Sequence, residues 1–361
     1  MKKKIAIIMI VVLFFYVQTA YGTHGVSVII DEQVTGGYEV KWNEYGNMAF
    51  IGADFFKTHF DTIVETDGDI TTVSKNGHTI SFTEGNKYFV MNGIGSRTLG
   101  TASFIVDETP YLPLRFMCEA LGAVVVWDED TQSMEIMTEA ITLPEEARAY
   151  LKNVEVYDQS AIRIKGEKIV YIDPYRIVGT PHDANIILIT HPHQDHYDIN
   201  SIMNVMKEST VLYVTEDGIS KAEEAGFTNV KSVMQNAEYR EGDIIIKTVP
   251  AYNTAPERPN HKKENNWVGY IVTIDSITYY LSGDTDYIPE MDNIVTDVAF
   301  FPMDGRFTMD KVEAAAAANS VAPKVAVVYH YNNFLTDNEV IDFISLLDEG
   351  IIGTAMNFKM F

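Results

Sequence analysis

The chain has 361 residues, of which 46% are hydrophobic and 22% charged, a globular composition that excludes wholesale disorder. This length exceeds what one ordinary domain needs, so two domains are expected. Acidic residues number 51 against 27 basic ones, and the net charge of −24 repels nucleic acid and anionic membrane surfaces at long range, so nucleic acid is not expected as a partner.

The N-terminus reads MKKKIAIIMIVVLFFYVQTAYG. Three lysines precede an apolar run from Ile5 to Val17, and Ala20 and Gly22 are spaced like the small residues of a cleavage site. Residues 1–22 therefore read as a secretory signal peptide. The apolar run falls short of the roughly 20 residues that span a bilayer comfortably; an uncleaved anchor is the alternative. Cys118 is the single cysteine, so no intramolecular disulfide forms. An exported protein without disulfides fits a bacterial route. The expected location is extracytoplasmic, either secreted or associated with the cell envelope.

Residues 24–138 read as a smaller α+β domain. Two stretches, FIGADFFKTHFDTIVETDGDITTV (50–73) and YLPLRFMCEALGAVVVWDEDTQSMEI (111–136), share one pattern of extended start, amphipathic helix, strand, acidic turn and strand. They predict two β-α-β-β halves joined by a hairpin whose Asn76-Gly77 signals a type I′ turn. Cys118, inside the helical RFMCEALG, is expected as a small buried apolar residue. The stretch PYLPLRFMCEALGAVVVWDEDTQSMEI resembles the copper amine oxidase N-terminal-like stalk domain. That resemblance implies a non-catalytic spacer or an attachment module for the cell envelope. His24, His59 and His78 lack ligand spacing, so no copper site is expected here.

Residues 139–152 (EAITLPEEARAYLK) are polar and helix-prone, carry Pro144 and read as a linker. Beyond them, residues 153–361 alternate strands and helices, as packed α/β layers do. Strands are expected at VEVYD, AIRIKGEKIVYIDPY, NIILIT, DIIIKTVPAY, TDVAFFP and KVAVVYH. WVGYIVTIDSITYYLSGD reads as two β runs turning at Asp275-Ser276, which favours antiparallel or mixed pairing. Helices are expected at DINSIMNVMKES, EDGISKAEEAG, TMDKVEAAAAANS and DNEVIDFISLLDEG.

After the strand NIILIT comes the loop HPHQDH. Nine histidines serve the whole chain, and His191, His193 and His196 join Asp195 within this one loop. Imidazole and carboxylate suit zinc, manganese or iron. Alternate residues of an extended loop point the same way, so His191 and His193 can reach one cation. Asp195 and His196 lie past the bend and can face a second.

This HxHxDH signature, with SAIRIKGEKIVYIDPYRI before it and YLSGDTDYIPEM and KVAVVYHYNN after it, resembles the metallo-β-lactamase superfamily. Within it the chain is similar to the branch of lactonases and phospholipase-D-like phosphodiesterases. The resemblance implies a four-layer αββα sandwich over residues 153–361, with two divalent ions, zinc first and manganese or iron as alternatives. It places His191 and His193 on the first ion, Asp195, His196 and His330 on the second, and Asp284 between them. Related domains carry a further histidine after the strand that here reads IIIKTVPAYN. That position holds Asn253, a poor ligand, and His261 in the longer loop is the nearby replacement. Asp173, in YIDPY, is either an ordinary Asp-Pro turn or the acceptor that fixes the tautomer of a ligating histidine.

The reaction implied is attack by a metal-activated hydroxide on an ester, lactone, amide or phosphoester, with Asp195 or Asp284 orienting the nucleophile or carrying its proton. Two other readings stand beside it. One is an N-acyl-phosphatidylethanolamine phospholipase D-type phosphodiesterase acting on lipid-like substrates. The other is a metal-binding envelope module with little catalysis. Substrate choice is expected in loops 250–267 and 302–308, where Arg258, Lys262, Lys263 and Arg306 either meet a phosphate or carboxylate or simply solvate the loops. The partner is then a small-molecule or lipid-like substrate; the oligomeric state is open.

Overall fold

The computed structural model describes residues 27–36, 38–43, 48–98, 101–128, 131–138, 145–330 and 337–355. The expected signal peptide, His24 and residues 139–144 lie outside the described residues.

The N-terminal region is β-rich, with two short helices, Asp54–His59 and Leu114–Ala120. Both β-α-β-β halves are present. Their leading strands, Ala49–Gly52 and Thr109–Pro113, pair antiparallel with each other. The hairpin Ile63–Asp67 with Ile70–Lys75 continues into a five-stranded sheet, and the hairpin Val124–Asp128 with Ser133–Met137 is extended by Ser27–Ile30 and Gln33–Thr35. Asn76 and Gly77 turn between two strands with φ of 50° and 82°, the double left-handed geometry that a type I′ turn requires. Phe55, Phe56, Phe82, Phe89 and Cys118 fill the core between these pieces.

The second region is built on two sheets. The first runs Val154–Val156, Ile162–Lys165, Ile169–Ile172, Ala184–Leu188, Met206–Thr215, Val230–Val233. The second runs Glu238–Glu241, Ile244–Pro250, Val268–Ile274, Ile277–Leu281, Val298–Pro302, Val325–Tyr329, Ile352–Ala355. Both are mixed, antiparallel at the start and parallel later.

Strand periodicity explains the layers. In Val298–Pro302, Val298 and Phe300 face the other sheet while Ala299 and Phe301 face the helices Lys311–Val321 and Asp337–Ser345. Val325 and Val327 against Ala326 and Val328 repeat the division. Across the first sheet, Ile186 and Leu188 point inward, whereas Ile187 and Leu212 meet the side carrying helices Ile199–Val205 and Ile219–Glu224. Strands apolar on both faces must be covered on both, and the outcome is helix, sheet, sheet, helix. Each fully buried Val, Leu, Ile or Phe side chain contributes about 1.5–3 kcal/mol to this arrangement.

Three local points qualify the reading from sequence. Residues 145–151 form a helix whose Ala147 and Leu151 are buried in the core between the sheets. DINSIMNVMKES is helical only to Val205; Met206 begins a strand, because Met206 pairs with Ala184. Asp275 and Ser276, with φ of 49° and 65°, make the tight turn between antiparallel strands expected there.

Candidate metal centre

All the chemistry-bearing loops leave the C-terminal ends of strands at one edge of the sandwich. Asp173 follows Ile169–Ile172, and His191 to His196 follow Ala184–Leu188. Asn253 follows Ile244–Pro250, Asp284 follows Ile277–Leu281, and His330 follows Val325–Tyr329. Gly283, at φ +67°, sets the turn that aims Asp284, and a Cβ there would lie 3.1 Å from the Val268 carbonyl and 3.2 Å from Thr190 Cβ. Asp173 and His330 also adopt left-handed φ, 45° and 56°, a conformation that costs about 1–2 kcal/mol outside glycine. Both make contacts at the site that offset it.

The structure brings all seven sequence-predicted site residues together. His191, His193 and His261 offer ligand atoms within 4.8 Å of one another, as do Asp195, His196 and His330, and as do His191, His196 and Asp284. Asp284 Oδ2 is the hub: His261 Nε2 lies 3.2 Å away, His196 Nε2 3.4 Å and His330 Nε2 3.4 Å. His191 Nε2 faces His193 Nδ1 at 3.0 Å. Asp195 stands at the mouth, where Gln159 Nε2 donates to its Oδ2 at 3.2 Å.

Behind the ring, acceptors hold the imidazoles. Asp173 takes hydrogen bonds from Thr190 N at 2.8 Å and Thr190 Oγ1 at 2.6 Å, and lies 2.8 Å from His196 Nδ1. Asp173 therefore takes the tautomer-fixing role, and the His196 nitrogen left facing Asp284 is Nε2. Asp304 stands farther off: its Oδ2 lies 3.5 Å from His330 Nδ1 without forming a hydrogen bond, while its Oδ1 accepts three backbone N–H groups from Arg306, Phe307 and Thr308. Asn253 Oδ1 lies 2.9 Å from His261 Nδ1.

The electrostatics follow from this crowding. Burial, then the neighbouring His196, pushes the His191 imidazole well below its ordinary value, leaving it neutral as a ligand must be. Burial would raise the Asp284 carboxyl, but the facing His330 and His196 overcome it and hold it well below the carboxylate range. Burial opposes charge on His196, yet the carboxylates of Asp284 and Asp173 outweigh it and hold its pKa well above the ordinary value.

These residues fit a divalent cation. The buried Nε2 atoms of His196, His261 and His330 and the buried Oδ1 of Asp284 have no hydrogen-bond partner. Three ring nitrogens aimed at one carboxylate oxygen need positive charge between them, and leaving such groups unpaired costs about 1–3 kcal/mol each. A divalent ion satisfies several at once, and His/Asp sets suit zinc and its neighbours.

The site opens to a cavity of about 200 Å³ whose lining adds Gln159, Asn260, Asp304 and Phe307 to the ring. Asn260, Asp304 and Phe307 lie in the loops 250–267 and 302–308 where substrate choice was expected, though none was singled out there, and Gln159 was missed. Asp304-Gly305 reads as an ordinary turn, and only the pairing of Val298–Pro302 with Val325–Tyr329 brings it to His330. The option that Arg258 meets a substrate anion is corrected: it is nearly buried, 2.9 Å from Asp286 and 2.5 Å from Glu313. Lys263 lies on the surface, donating to Tyr252 Oη and Glu290. Arg306 is exposed, its guanidinium 4.8 Å from the centre of the Phe307 ring. None of the four basic residues lines the cavity.

Residues 153–330 match the Beta-lactamase superfamily domain, and residues 35–136 match the Copper amine oxidase N-terminal domain. The chain is 31% identical over 198 residues to a UPF0173 metal-dependent hydrolase of Pyrococcus horikoshii, covering 50% of this chain and 85% of that protein. A UPF0173 metal-dependent hydrolase of Listeria welshimeri is 26% identical over 220 residues, covering 56% of this chain and 96% of its own length. Among solved structures, Igni18, a metallo hydrolase from Ignicoccus hospitalis, aligns with a TM-score of 0.45 at 22% identity, covering 55% of this chain and 92% of its own. From the shared domain and the extent of the relatives it covers, the chain belongs to the metallo-β-lactamase superfamily and is one of its metal-dependent hydrolases.

Proposed function

We propose that this hydrolase is exported and uses two divalent cations, zinc first, to cleave a compact ester, lactone, amide or phosphoester. The observation that carries this is the set of unpartnered buried atoms, three imidazole Nε2 and one carboxylate oxygen, converging on one hub. His191, His193 and His261 would hold one ion, Asp195, His196 and His330 the other, with Asp284 shared. Bound there, such ions lower the pKa of water towards ~7 and polarise the oxygen of the scissile group.

The chain's own residues supply the rest. Asp195 is the most exposed carboxylate of the ring, and Gln159 orients it at the mouth. It is placed to accept a proton from the attacking water and return it to the leaving group. Phe307 supplies an apolar part of the wall. The cavity of about 200 Å³ is smaller than the roughly 300–1,000 Å³ of sites that swallow a drug-sized ligand. That size favours a compact scissile group over a whole lipid. Among the described residues no Lys or Arg lines the cavity, which gives the phosphodiesterase reading no extra support.

Export rests on the leader-like N-terminus and on the copper amine oxidase N-terminal domain, which we read as the part that meets the cell envelope. Among the described residues no helix is long and apolar enough to cross a membrane.

The test is to load the protein with zinc, manganese or iron, count ions per chain, and screen lactones, thioesters, bis-p-nitrophenyl phosphate and N-acyl phospholipids. Two ions per chain and turnover lost in His193→Ala and Asp284→Ala are expected. Equal turnover by parent and variants would sink the mechanism. Stoichiometric metal without turnover on any substrate would favour the envelope-module reading.

A further inference from the structure

We propose that Asn253 is a positioning residue that locks His261 in the tautomer needed to bind a cation. The proposal rests on the two-cation reading and adds to it how the first site is held.

The lock follows from donor and acceptor roles alone. The backbone N–H of His261 can only donate, and it points at Asn253 Oδ1 at 3.0 Å. That contact identifies the facing atom as the amide oxygen, not its nitrogen. The same oxygen lies 2.9 Å from His261 Nδ1, so Nδ1 carries a proton and donates it. A neutral imidazole with its proton on Nδ1 has a bare Nε2. Nε2 is the buried, unpartnered atom 3.2 Å from Asp284 Oδ2.

Asn253 cannot easily turn round. Its Nδ2 donates to Asp286 Oδ1 at 2.8 Å and to the Phe307 carbonyl at 3.0 Å. Flipping the amide would set its oxygen against two acceptors and its NH₂ against two donors. Asp286 is itself fully buried and fixed, accepting from Thr254 N at 2.6 Å and Ala255 N at 2.8 Å, with Arg258 Nε 2.9 Å away. Asn253 N also donates to the His261 carbonyl at 2.6 Å, closing the loop on itself. Arg258, Asp286 and Asn253 thus form one chain of contacts ending on His261. Asn253 makes no cation contact in this scheme; it works through His261.

The experiment measures zinc affinity of each site in the full chain by competition with a chelator, for the parent, Asn253→Leu, Asn253→Asp, His261→Ala and the Asn253→Leu/His261→Ala double variant. Outer partners of ligating histidines are worth about 10–100-fold in metal affinity. Asn253→Leu should weaken one of the two zinc sites by that factor and leave the other. In the double variant the loss should equal that of His261→Ala alone, because Asn253 acts only through His261. Asn253→Asp keeps the acceptor for Nδ1–H but places a carboxylate against Asp286. It should lower the thermal midpoint yet keep zinc within a few-fold of the parent. A purely structural role predicts the opposite, with zinc loss tracking the thermal midpoint across both variants. Additive losses in the double variant, or unchanged zinc affinity in Asn253→Leu, overturn the inference while the two-cation reading stands. If Asn253→Asp fails to fold, the Leu cycle alone decides. A parent chain that binds fewer than two zinc ions overturns the two-cation reading and this inference with it.

Discussion

Two buried polar clusters lie in the same αββα unit, and they are built on opposite principles. Around Arg163, charges close on one another. Glu155 takes bonds from Arg163 at 2.8 Å, Lys165 at 2.6 Å and Tyr157 at 2.7 Å, while Asp183 pairs with Arg163 and accepts from Tyr171 at 3.0 Å. Only Arg163 Nε is left without a partner. Around Asp284 the reverse holds: nitrogen after nitrogen faces the same oxygen, and five site atoms of His196, His261, His330 and Asp284 have no partner. A closed cluster is complete as folded. An open one is complete only with something added, which marks it as a binding site.

The largest expected effect attacks the hub. Asp284→Ala should lower kcat/KM at least ~10³-fold, about 4 kcal/mol of transition-state stabilisation, and reduce bound zinc. Kinetics with a responsive ester or lactone, together with metal counting, checks both. Next comes the closed cluster. Arg163→Met leaves the buried Glu155 and the partly buried Asp183 without their shared cation; breaking a fully buried pair costs about 3–5 kcal/mol, and with Lys165 still on Glu155 the loss should fall below that. Urea unfolding should show that loss, while the folded fraction keeps its full complement of zinc. If zinc fell in step with stability, the two clusters would not be separable and the contrast would fail.

A finer test grades the acceptors behind the ring. Asp173 Oδ2 lies 2.8 Å from His196 Nδ1, whereas Asp304 Oδ2 lies 3.5 Å from His330 Nδ1. Asp173→Asn should weaken zinc binding by about 10–100-fold, the usual worth of such a partner. Asp304→Asn should do less, because a 3.5 Å contact is at the limit of hydrogen bonding. Chelator titration of the two variants side by side gives the order, and the reverse order would remove distance as the explanation.

Much of this was legible in the sequence for a physical reason. His191, His193, Asp195 and His196 sit in one short loop, so proximity along the chain guarantees proximity in space. Asp284 and His330, unremarkable by themselves as a turn aspartate and a strand-end histidine, were readable only through the resemblance that the HxHxDH loop established. His261 came from asking what replaces a missing ligand beside Asn253. What stayed hidden depends on non-local pairing. Asp304 reaches His330 only because consecutive strands, joined across a helix, pair in parallel and bring their C-terminal ends together. The switch from helix to strand at Met206 was hidden likewise, since its helical pattern runs on and only pairing with Ala184 ends it. Arg258 stood open between a substrate contact and a solvated loop because its actual partners, Asp286 and Glu313, are distant in the chain.

The smallest expected effect is a change of slope, and it bears on the closed cluster alone. Burial works to raise the Glu155 carboxyl, but hydrogen bonds from Lys165, Tyr157 and Arg163 outweigh it and hold its pKa below the ordinary value. In the unfolded chain those partners are lost and the carboxyl returns to about 4.3. A group whose folded pKa is depressed lends stability above its unfolded pKa and loses it as the pH falls through the folded one. The unfolded chain binds the proton first, so acid favours unfolding across that window. Glu155→Gln cannot take part in this linkage. It should be less stable than the parent at neutral pH, because Arg163 and Lys165 lose their counter-charge. The gap should then narrow as the pH falls below about 4.3. Urea midpoints of the two proteins, taken in matched buffers from neutral to acid, provide the comparison, and differencing them cancels the many carboxylates they share. A gap that stays constant would mean that Glu155 titrates alike in both states. The cluster around Arg163 would then hold the fold by packing and not by its charges.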